Sequence, residues 1–276
     1  MNLSMRGHDL DAKSAEEVSE KCAQYGLYGV QLVMAKTISD FKAGTFTPAY
    51  AEKIKAQLDK NNAKIPVLGC YINPSSTDAT VLKGELERFK EHLRYARFLG
   101  AHAVGTETGF VGDKCVSADN HTEEAYQHCL SNLKQMVGWA EKLGVMVAVE
   151  GVKIFVIDSP VKMRRLIDDI NSPNLMCIFD PVNFIGADNY MDQDKIIDDA
   201  FELYGNEMCA IHLKDFVISD EGKVKRVLPT EGMLNTKKIL TYIKYNKPDI
   251  PVVLEEVKER DLEKVMKNVQ RLYDSI

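Results

Sequence analysis

Short apolar runs alternate with longer amphipathic segments along the whole chain. The runs are rich in Val, Ile and Leu, which is typical of buried strands in a parallel sheet. Eight such runs occur: Leu3–Arg6, Val30–Met34, Ile65–Ile72, Ala103–Glu107, Val145–Glu150, Leu175–Asp180, Met208–Leu213 and Pro251–Glu255. Because a segment long enough for a helix follows each run, the pattern predicts repeated strand–helix units.

The predicted helices carry recognisable start and stop signals. Ser14–Tyr25, Leu86–Leu99 and Leu130–Leu143 have helical periodicity, and each ends directly before a glycine that can terminate a helix. Ser159-Pro160 and Thr47-Pro48 each combine an N-cap residue with a first-turn proline. These two pairs therefore predict helix starts.

The number of units indicates the architecture. Eight units in 276 residues average roughly 34 residues each, which matches a (β/α)₈ TIM barrel. A doubly wound open sheet would also alternate strands and helices, so the count favours the barrel without excluding the open sheet. No linker, low-complexity tract or change of composition divides the chain. We therefore predict an α/β protein with a single TIM-barrel domain over residues 1–276.

Charge and composition argue against several classes of protein. With 35 Lys+Arg against 41 Asp+Glu the formal net charge is −6, and 45% of the residues are hydrophobic, as in ordinary globular proteins. Binding to nucleic acid or to anionic lipid relies on clustered positive charge, and no run of Lys or Arg exceeds two residues. We therefore expect neither nucleic acid nor a membrane as a partner.

The expected compartment is the cytoplasm. The N-terminal residues lack the pattern of a signal peptide, and no window approaches the apolar length of a transmembrane helix. The six cysteines form no CxxC pair and lie mostly among apolar neighbours, which indicates reduced, buried thiols. No glycine-rich nucleotide-binding loop precedes a helix.

Four successive predicted strands near the end of the chain finish in ionisable residues. These are Glu150, Asp180, His212 and the pair Glu255-Glu256. In a parallel barrel such strand ends converge on one pocket, where several carboxylates would repel each other unless a cation neutralised them. We therefore predict one divalent metal ion. Mn²⁺, Co²⁺ or Mg²⁺ suits a carboxylate-rich set with one imidazole, and Zn²⁺ is an alternative.

The sequence around these strand ends resembles the sugar phosphate isomerase/epimerase family of xylose isomerase-like TIM barrels. The matching segments are Val-Ala-Val-Glu150, Phe-Asp180-Pro-Val-Asn183, Ile-His212-Leu-Lys-Asp215 and Val-Val-Leu-Glu255. The resemblance spans nearly the whole chain and implies that the Glu, Asp, His and Glu hold one divalent ion. It also implies that Glu150 and Glu255 move protons at the substrate. Glu255 is preferred to Glu256 because it directly follows the strand, and only one of two consecutive side chains can point inward.

Three positions depart from the ketose epimerases of that family. Those enzymes usually have a His three residues after the metal Asp, where this chain has Asn183, and a second Glu six residues after the first metal Glu, where it has Val156. Phe216 and Val217 occupy the stretch where a substrate-binding Arg is expected, and Arg226 comes later. The departures argue against a free-ketohexose 3-epimerase but retain a metal-dependent reaction on a polyol or keto-sugar.

Further residues are predicted to contact the substrate. His8 follows the first strand, Tyr71 follows the third and Glu107 ends the fourth, while Asn183 and Lys214 lie near the metal residues in the sequence. A capping loop for His8 and a solvated turn for Glu107 are equally expected.

Two further expectations concern the region after the seventh predicted strand. Lys214 could hold a substrate oxygen or instead form an ion pair with Asp215. Residues 223–232 are predicted to form a loop over the mouth of the barrel.

The expected function is that of a metal-dependent isomerase or epimerase acting on a small carbohydrate. It would transfer a proton alpha to a carbonyl through a metal-stabilised enediolate. A lyase of the inosose dehydratase type is the main alternative. An endonuclease IV-like enzyme would need many histidines and a basic surface, and a non-catalytic sugar-binding protein need not keep both Glu150 and Glu255. The sequence does not determine the oligomeric state, and a homo-oligomer is compatible with it.

Overall fold

Eight parallel strands form a nearly closed barrel in the computed structural model, which describes residues 1–276. The chain has ten strands in all, which are β1 (Asn2–Arg6), β2 (Gly29–Gln31), β3 (Ile65–Gly69), β4 (Ala101–Glu107), β5 (Met146–Glu150), β6 (Leu175–Phe179), β7 (Met208–Leu213), β8 (Asp215–Ile218), β9 (Val224–Val227) and β10 (Pro251–Leu254). Of these, β8 and β9 form a separate antiparallel hairpin. The barrel follows the order β2-β1-β10-β7-β6-β5-β4-β3, and single parallel bridges between β2 and β3 close it.

Helices separate the strands and cover the outside of the barrel. They are α1 (Ala15–Tyr25), α2 (Met34–Thr37), α3 (Pro48–Asp59), α4 (Ala79–Leu99), α5 (Glu123–Leu143), α6 (Pro160–Ile170), α7 (Gln193–Tyr204), α8 (Thr236–Asn246) and α9 (Glu259–Asp274). None of these helices combines the length and the apolarity that crossing a bilayer requires. A core of 66 buried hydrophobic residues lies mainly between the helices and the outer face of the strands.

The predicted barrel is confirmed, and so are the helix boundaries that depended on capping. The hydroxyls of Ser14 and Thr47 accept hydrogen bonds from backbone N–H groups in the first turns of α1 and α3. The glycines that end α1, α4 and α5 have φ of +67°, +70° and +65°, a conformation that other residues rarely adopt.

Three local expectations need correction. Two strands end earlier than predicted: the second ends at Gln31 rather than Met34, because Met34 already begins α2, and the third ends at Gly69 rather than Ile72. Part of the predicted mouth loop is strand β9, which pairs with β8. All six cysteines are unpaired, but Cys115 is exposed whereas the other five are buried.

The interior of the barrel has two layers. A lower layer is apolar and consists of Val67, Ala103, Ala148, Ile178, Cys209 and Ala210. Because side chains on a strand alternate between two faces, residues an even number of positions further along point into the same interior. By this alternation Glu107, Glu150, Asp180, His212 and Lys214 form an upper layer at the carboxyl ends of the strands. Glu255, which directly follows β10, joins this layer through its contacts with His212 and Lys214.

Candidate active site

The upper layer brings together residues from successive strands. Glu150 ends β5, Asp180 directly follows β6 and His212 lies in β7. One potential ligand atom from each of these three residues lies within 4.8 Å of the corresponding atoms of the other two. All three side chains are buried, with exposures of 3%, 0% and 0%. The structure thus places these predicted residues in a single cluster.

Asp180 is held in place by the backbone. It caps the short 3₁₀ helix Pro181–Phe184, and its Oδ1 accepts hydrogen bonds from the N–H groups of Val182 (3.0 Å) and Asn183 (3.3 Å). This leaves Oδ2 directed toward the other charged groups. The carboxylate is therefore oriented before any ligand binds.

His212 lies between two carboxylates. Its Nδ1 is 3.3 Å from Oε1 of Glu150 and 3.2 Å from Oε1 of Glu255. Neither ring nitrogen has an aligned hydrogen bond, although the ring is fully buried. Glu255 is 7% exposed. The fourth predicted residue therefore joins the cluster, with its carboxylate against the same ring nitrogen as that of Glu150.

Glu256 points elsewhere, as strand alternation predicts. It is partly exposed, adopts φ of +57°, and its Oε1 lies 3.7 Å from Arg6 and 3.4 Å from Arg226. The choice of Glu255 as the inward residue agrees with this arrangement.

Lys214 is part of the cluster and does not pair with Asp215. Its Nζ is 2.6 Å from Oδ2 of Asp180 and 3.2 Å from Oε2 of Glu255, and it donates a 2.8 Å hydrogen bond to Oδ1 of Asn183. The carboxylate of Asp215 instead accepts backbone hydrogen bonds from Phe216, Gly232 and Leu234, which fixes the base of the hairpin. Lys214 thus contacts residues that follow other strands instead of forming an ion pair with Asp215.

Asn183 connects the two sides of the cluster. Its amide donates to Oε1 of Glu150 at 2.7 Å, while its carbonyl oxygen accepts from Lys214. Two other departures from the epimerase pattern have different locations, since Val156 and Phe216 are both fully buried in the hydrophobic core. Neither residue can contact a substrate at the strand ends.

Strong electrostatic coupling shifts the ionisation of the cluster. Burial raises the pKa of Asp180 to about 6, although the Lys214 charge opposes this shift. For Glu255 burial acts in the same direction, but the charges of His212 and Lys214 outweigh it and lower the pKa to about 2. Burial alone would lower the pKa of His212, and the negative charges of Glu150 and Glu255 instead raise it to about 9. The imidazolium and the Lys214 ammonium therefore balance only part of the negative charge of the carboxylates.

A cavity of about 230 Å³ opens above this cluster. It is lined by all the predicted substrate-contact residues, His8, Tyr71, Glu107, Asn183 and Lys214, and by Glu150 and Glu255. Asp180 and His212 form its buried floor rather than its wall. The hydroxyl of Tyr71 accepts a 2.8 Å hydrogen bond from Gln31 and lies 3.5 Å from Oε2 of Glu150.

Four further polar residues line the cavity and were not predicted to do so. They are Arg6, Gln31, Lys36 and Arg226. Arg6 and Gln31 are the last residues of β1 and β2, so the strand-end position was the signal that could have found them. No such signal exists for Lys36 in the short helix α2, whereas Arg226 lies in the segment 223–232 that was predicted to cover the mouth of the barrel.

A larger cavity of about 840 Å³ lies at the opposite end of the barrel, next to Ile65, Ala101 and Pro251, the first residues of their strands. It contains none of the upper-layer residues. In barrels of this type the carboxyl ends of the strands carry the chemistry. The smaller cavity is therefore the candidate active site.

The buried cluster could bind a divalent metal ion. Its donors are carboxylate oxygens and one imidazole, and neither nitrogen of His212 has an aligned hydrogen-bond partner, which leaves a lone pair available once the ring is deprotonated. The excess of carboxylates over fixed cations favours an additional positive charge. Lys214 occupies the free oxygen of Asp180, so the ammonium and a metal ion would have to share that carboxylate.

Comparisons with known proteins agree with the barrel fold. The family model described as xylose isomerase-like TIM barrel matches residues 19–275. No curated protein is similar enough in sequence to count as a relative.

Solved structures share the fold over nearly their full length. A D-tagatose 3-epimerase-like protein is 18% identical, with a TM-score of 0.79 and coverage of 100% of this chain and 98% of that one. The IolI protein with a bound zinc atom is 15% identical, with a TM-score of 0.76 and coverage of 100% and 97%. The probable 3-DHS dehydratase AsbF from Bacillus anthracis is 15% identical, with a TM-score of 0.75 and coverage of 99% and 98%. The family match covers most of the sequence, and this chain therefore belongs to the xylose isomerase-like TIM barrel family.

Proposed function

We propose that this protein is a divalent-metal-dependent isomerase or epimerase of a keto-sugar or related polyol. One observation carries the proposal: the carboxylates of Glu150 and Glu255 lie 3.3 and 3.2 Å from Nδ1 of His212, and both side chains line one cavity. A substrate carbon in that cavity would have a carboxylate on each side. This arrangement suits removal of a proton alpha to a carbonyl and its return.

The metal would be held by Glu150, Asp180, His212 and Glu255. When bound, a divalent ion supplies a Lewis acid that favours ionisation of a C–H bond next to a carbonyl. Mn²⁺, Co²⁺ and Mg²⁺ suit the carboxylate-rich donor set, and Zn²⁺ is an alternative, which is the ion named for the similarly folded IolI protein.

The two glutamates would move the proton. Glu255 contacts the Lys214 ammonium at 3.2 Å, which favours its ionised form, the state that a base needs. Return of a proton to the opposite face of the same carbon, from the other carboxyl group in its protonated form, gives an epimer. Return to the neighbouring carbon, together with transfer of a hydroxyl proton, gives an isomer.

Other cavity residues would position the substrate. The Lys214 ammonium and the Tyr71 hydroxyl can donate hydrogen bonds to substrate oxygens. Asn183 fixes the relative positions of Lys214 and Glu150 through hydrogen bonds of 2.8 and 2.7 Å. His8 and Glu107 lie on the wall of the same cavity, where polar groups of a sugar would contact them.

A dehydratase is the second candidate, and Glu107 favours it. Loss of a β-hydroxyl needs a protonated acid beside the leaving group in addition to the base. Burial, and next the negative charge of Glu150, raise the pKa of Glu107 to about 7, and its side chain lines the cavity. The similarly folded AsbF is a probable dehydratase.

Deuterium exchange tests the proposed chemistry. The metal-loaded protein is incubated in D₂O with a panel of ketoses, inososes and keto acids, and NMR follows deuterium at the alpha carbon and loss of water. We expect exchange with at least one compound, and a loss of about 100-fold or more in Glu150→Gln and Glu255→Gln. Glu231→Gln, an exposed carboxylate outside the cavity, is the matched control.

Elemental analysis of the same samples separates the chemical role from metal loss. We expect about one equivalent of metal in the unaltered protein, partial retention in the two Gln variants and little in His212→Ala. Wild-type exchange in both Gln variants on a genuine substrate would show that these glutamates are not the acid–base pair.

A further inference from the structure

The mouth of the cavity is divided into a basic half and an acidic half. Strand β1, the segments that follow β1 and β2, and the hairpin contribute the basic half, which we define as Arg6, His8, Lys36 and Arg226. Glu255, which follows β10, is the carboxylate that lines the cavity on this side. Strands β3 to β6 and the segments that follow them contribute Tyr71, Glu107, Glu150 and Asn183 on the other side. Positive groups thus gather on one wall although the chain as a whole has a net charge of −6.

Two cations of the basic half are largely free of protein partners. Lys36 lines the cavity and makes no side-chain hydrogen bond or ion pair, whereas Lys214 on the cavity floor contacts three oxygens. The only ion pair of Arg226 is the 3.4 Å contact with Glu256, and its side chain is 55% exposed. Donors that line a cavity without acceptors are available to a ligand.

Glu256 orients the arginines of this half. Its carboxylate lies between Arg226 and Arg6, at 3.4 and 3.7 Å, and its backbone has φ of +57°. A residue other than glycine rarely adopts this conformation, and surrounding contacts must offset the strain. The strained position therefore links the hairpin to the end of β1 and keeps Arg226 beside the mouth.

His8 adds a neutral donor or acceptor. Its Nδ1 is buried and has no hydrogen-bond partner. Burial lowers the pKa of His8, and the charges of Arg6 and Lys36 lower it further against the opposing effect of Asp9. The ring thus adds hydrogen-bonding capacity to the basic half without adding charge.

We propose that Lys36, His8 and Arg226 form a subsite for an anionic oxygen-bearing group of the substrate, either a phosphate ester or a carboxylate. The reacting end of the substrate then lies over Glu150 and Glu255, an assignment that rests on the proposed function. Such a group supplies an acceptor to Lys36, which has none, and further acceptors to Arg226, whose only acceptor is Glu256. The positive wall attracts it through water toward an otherwise acidic protein.

The test compares three ligands that differ only at one terminal carbon: D-fructose, D-fructose 6-phosphate and D-fructuronate. Calorimetry measures their binding to the metal-loaded protein at low ionic strength, and deuterium exchange is recorded separately. We expect at least one anionic ligand to bind about tenfold or more tightly than fructose. Lys36→Met and Arg226→Gln should each weaken that ligand about tenfold and leave fructose unchanged. Lys225→Met, an exposed neighbour on β9 outside the cavity lining, should change neither.

Each outcome decides the proposal. The anion that binds more tightly identifies phosphate or carboxylate as the preferred group. Equal or undetectable binding of the three ligands overturns the subsite, and so does tight anion binding that Lys36→Met and Arg226→Gln leave unchanged, since the metal alone would then hold the anion. Anion binding that depends on Lys36 without exchange in any compound retains the subsite and rejects the proposed chemistry. Deuterium exchange without any preference for an anionic ligand retains the proposed chemistry and rejects the subsite.

Discussion

The lower and upper layers of the barrel interior are built by the same strands only a few residues apart, yet they differ in almost every physical property. The lower layer consists of small and branched apolar side chains that are at most 4% exposed. The upper layer packs four carboxylates against an imidazole and an ammonium. Packing therefore stabilises one layer, whereas the other is stable only while its charges are matched.

Removal of Lys214 should have the largest effect on this comparison. In Lys214→Met the carboxylates of Asp180 and Glu255 lose an ammonium at 2.6 and 3.2 Å while they stay buried. Breaking a buried ion pair from one side typically costs about 3–5 kcal/mol in the free energy of unfolding. We expect a loss of this size in urea denaturation with a chelator present.

A divalent ion should restore part of that stability, because it supplies the positive charge that the variant lacks. Lys238→Met is the control, since Lys238 pairs with Asp198 on the surface and its loss should cost less than about 1 kcal/mol. A Lys214→Met protein as stable as wild type under chelation would show that the upper layer does not depend on charge matching.

Much of the fold could be predicted because local signals agree with the global pattern. Apolar runs, N-cap residues and C-terminal glycines specify strand and helix limits through contacts within a few residues. The upper-layer carboxylates could also be found, since convergence of strand ends in a barrel turns a one-dimensional position such as that of Glu150 or Asp180 into a shared location.

What the sequence did not reveal depends on contacts across the barrel. Lys214 contacts Asp180 and Asn183 rather than its neighbour Asp215, because the Asp215 carboxylate already accepts hydrogen bonds from backbone N–H groups within and after the hairpin. The sequence Val-Lys-Arg-Val of β9 is too polar to indicate a strand on its own, so its pairing with β8 was not predicted, although residues 223–232 were expected over the mouth of the barrel, where Arg226 lies.

The lower layer should respond to volume and not to charge or metal. A Cβ atom at Gly105 of β4 would lie 2.5 Å from Cγ1 of Val67 and 3.1 Å from Cδ1 of Ile178. Gly105→Ala should therefore destabilise the protein by about 1–3 kcal/mol, equally with chelator and with metal. In the double variant with Val67→Ala the added methyl group gains space, so the combined loss should be smaller than the sum of the two single losses. Additive losses in urea denaturation would mean that the two positions do not share one packed layer.

The smallest expected effect is a gain in stability at the edge of the upper layer. Burial, and then repulsion from Glu150, raise the pKa of Glu107 from its ordinary 4.5 to about 7. Between these two pH values the folded protein binds more protons at this site than the unfolded chain, so its stability falls as the pH rises through that window. Glu107→Gln removes the buried charge and should stabilise the protein by about 1 kcal/mol at pH 8, with little effect at pH 5, because the side chain partly faces the open cavity and water moderates the repulsion. Urea denaturation at both pH values in a chelator measures the difference, and a saturating divalent ion should reduce it by neutralising Glu150. A variant less stable than wild type at pH 8 would mean that the Glu107 carboxylate makes favourable contacts within the upper layer. The negative charge of that layer would then be balanced more completely than its two cations, His212 and Lys214, suggest.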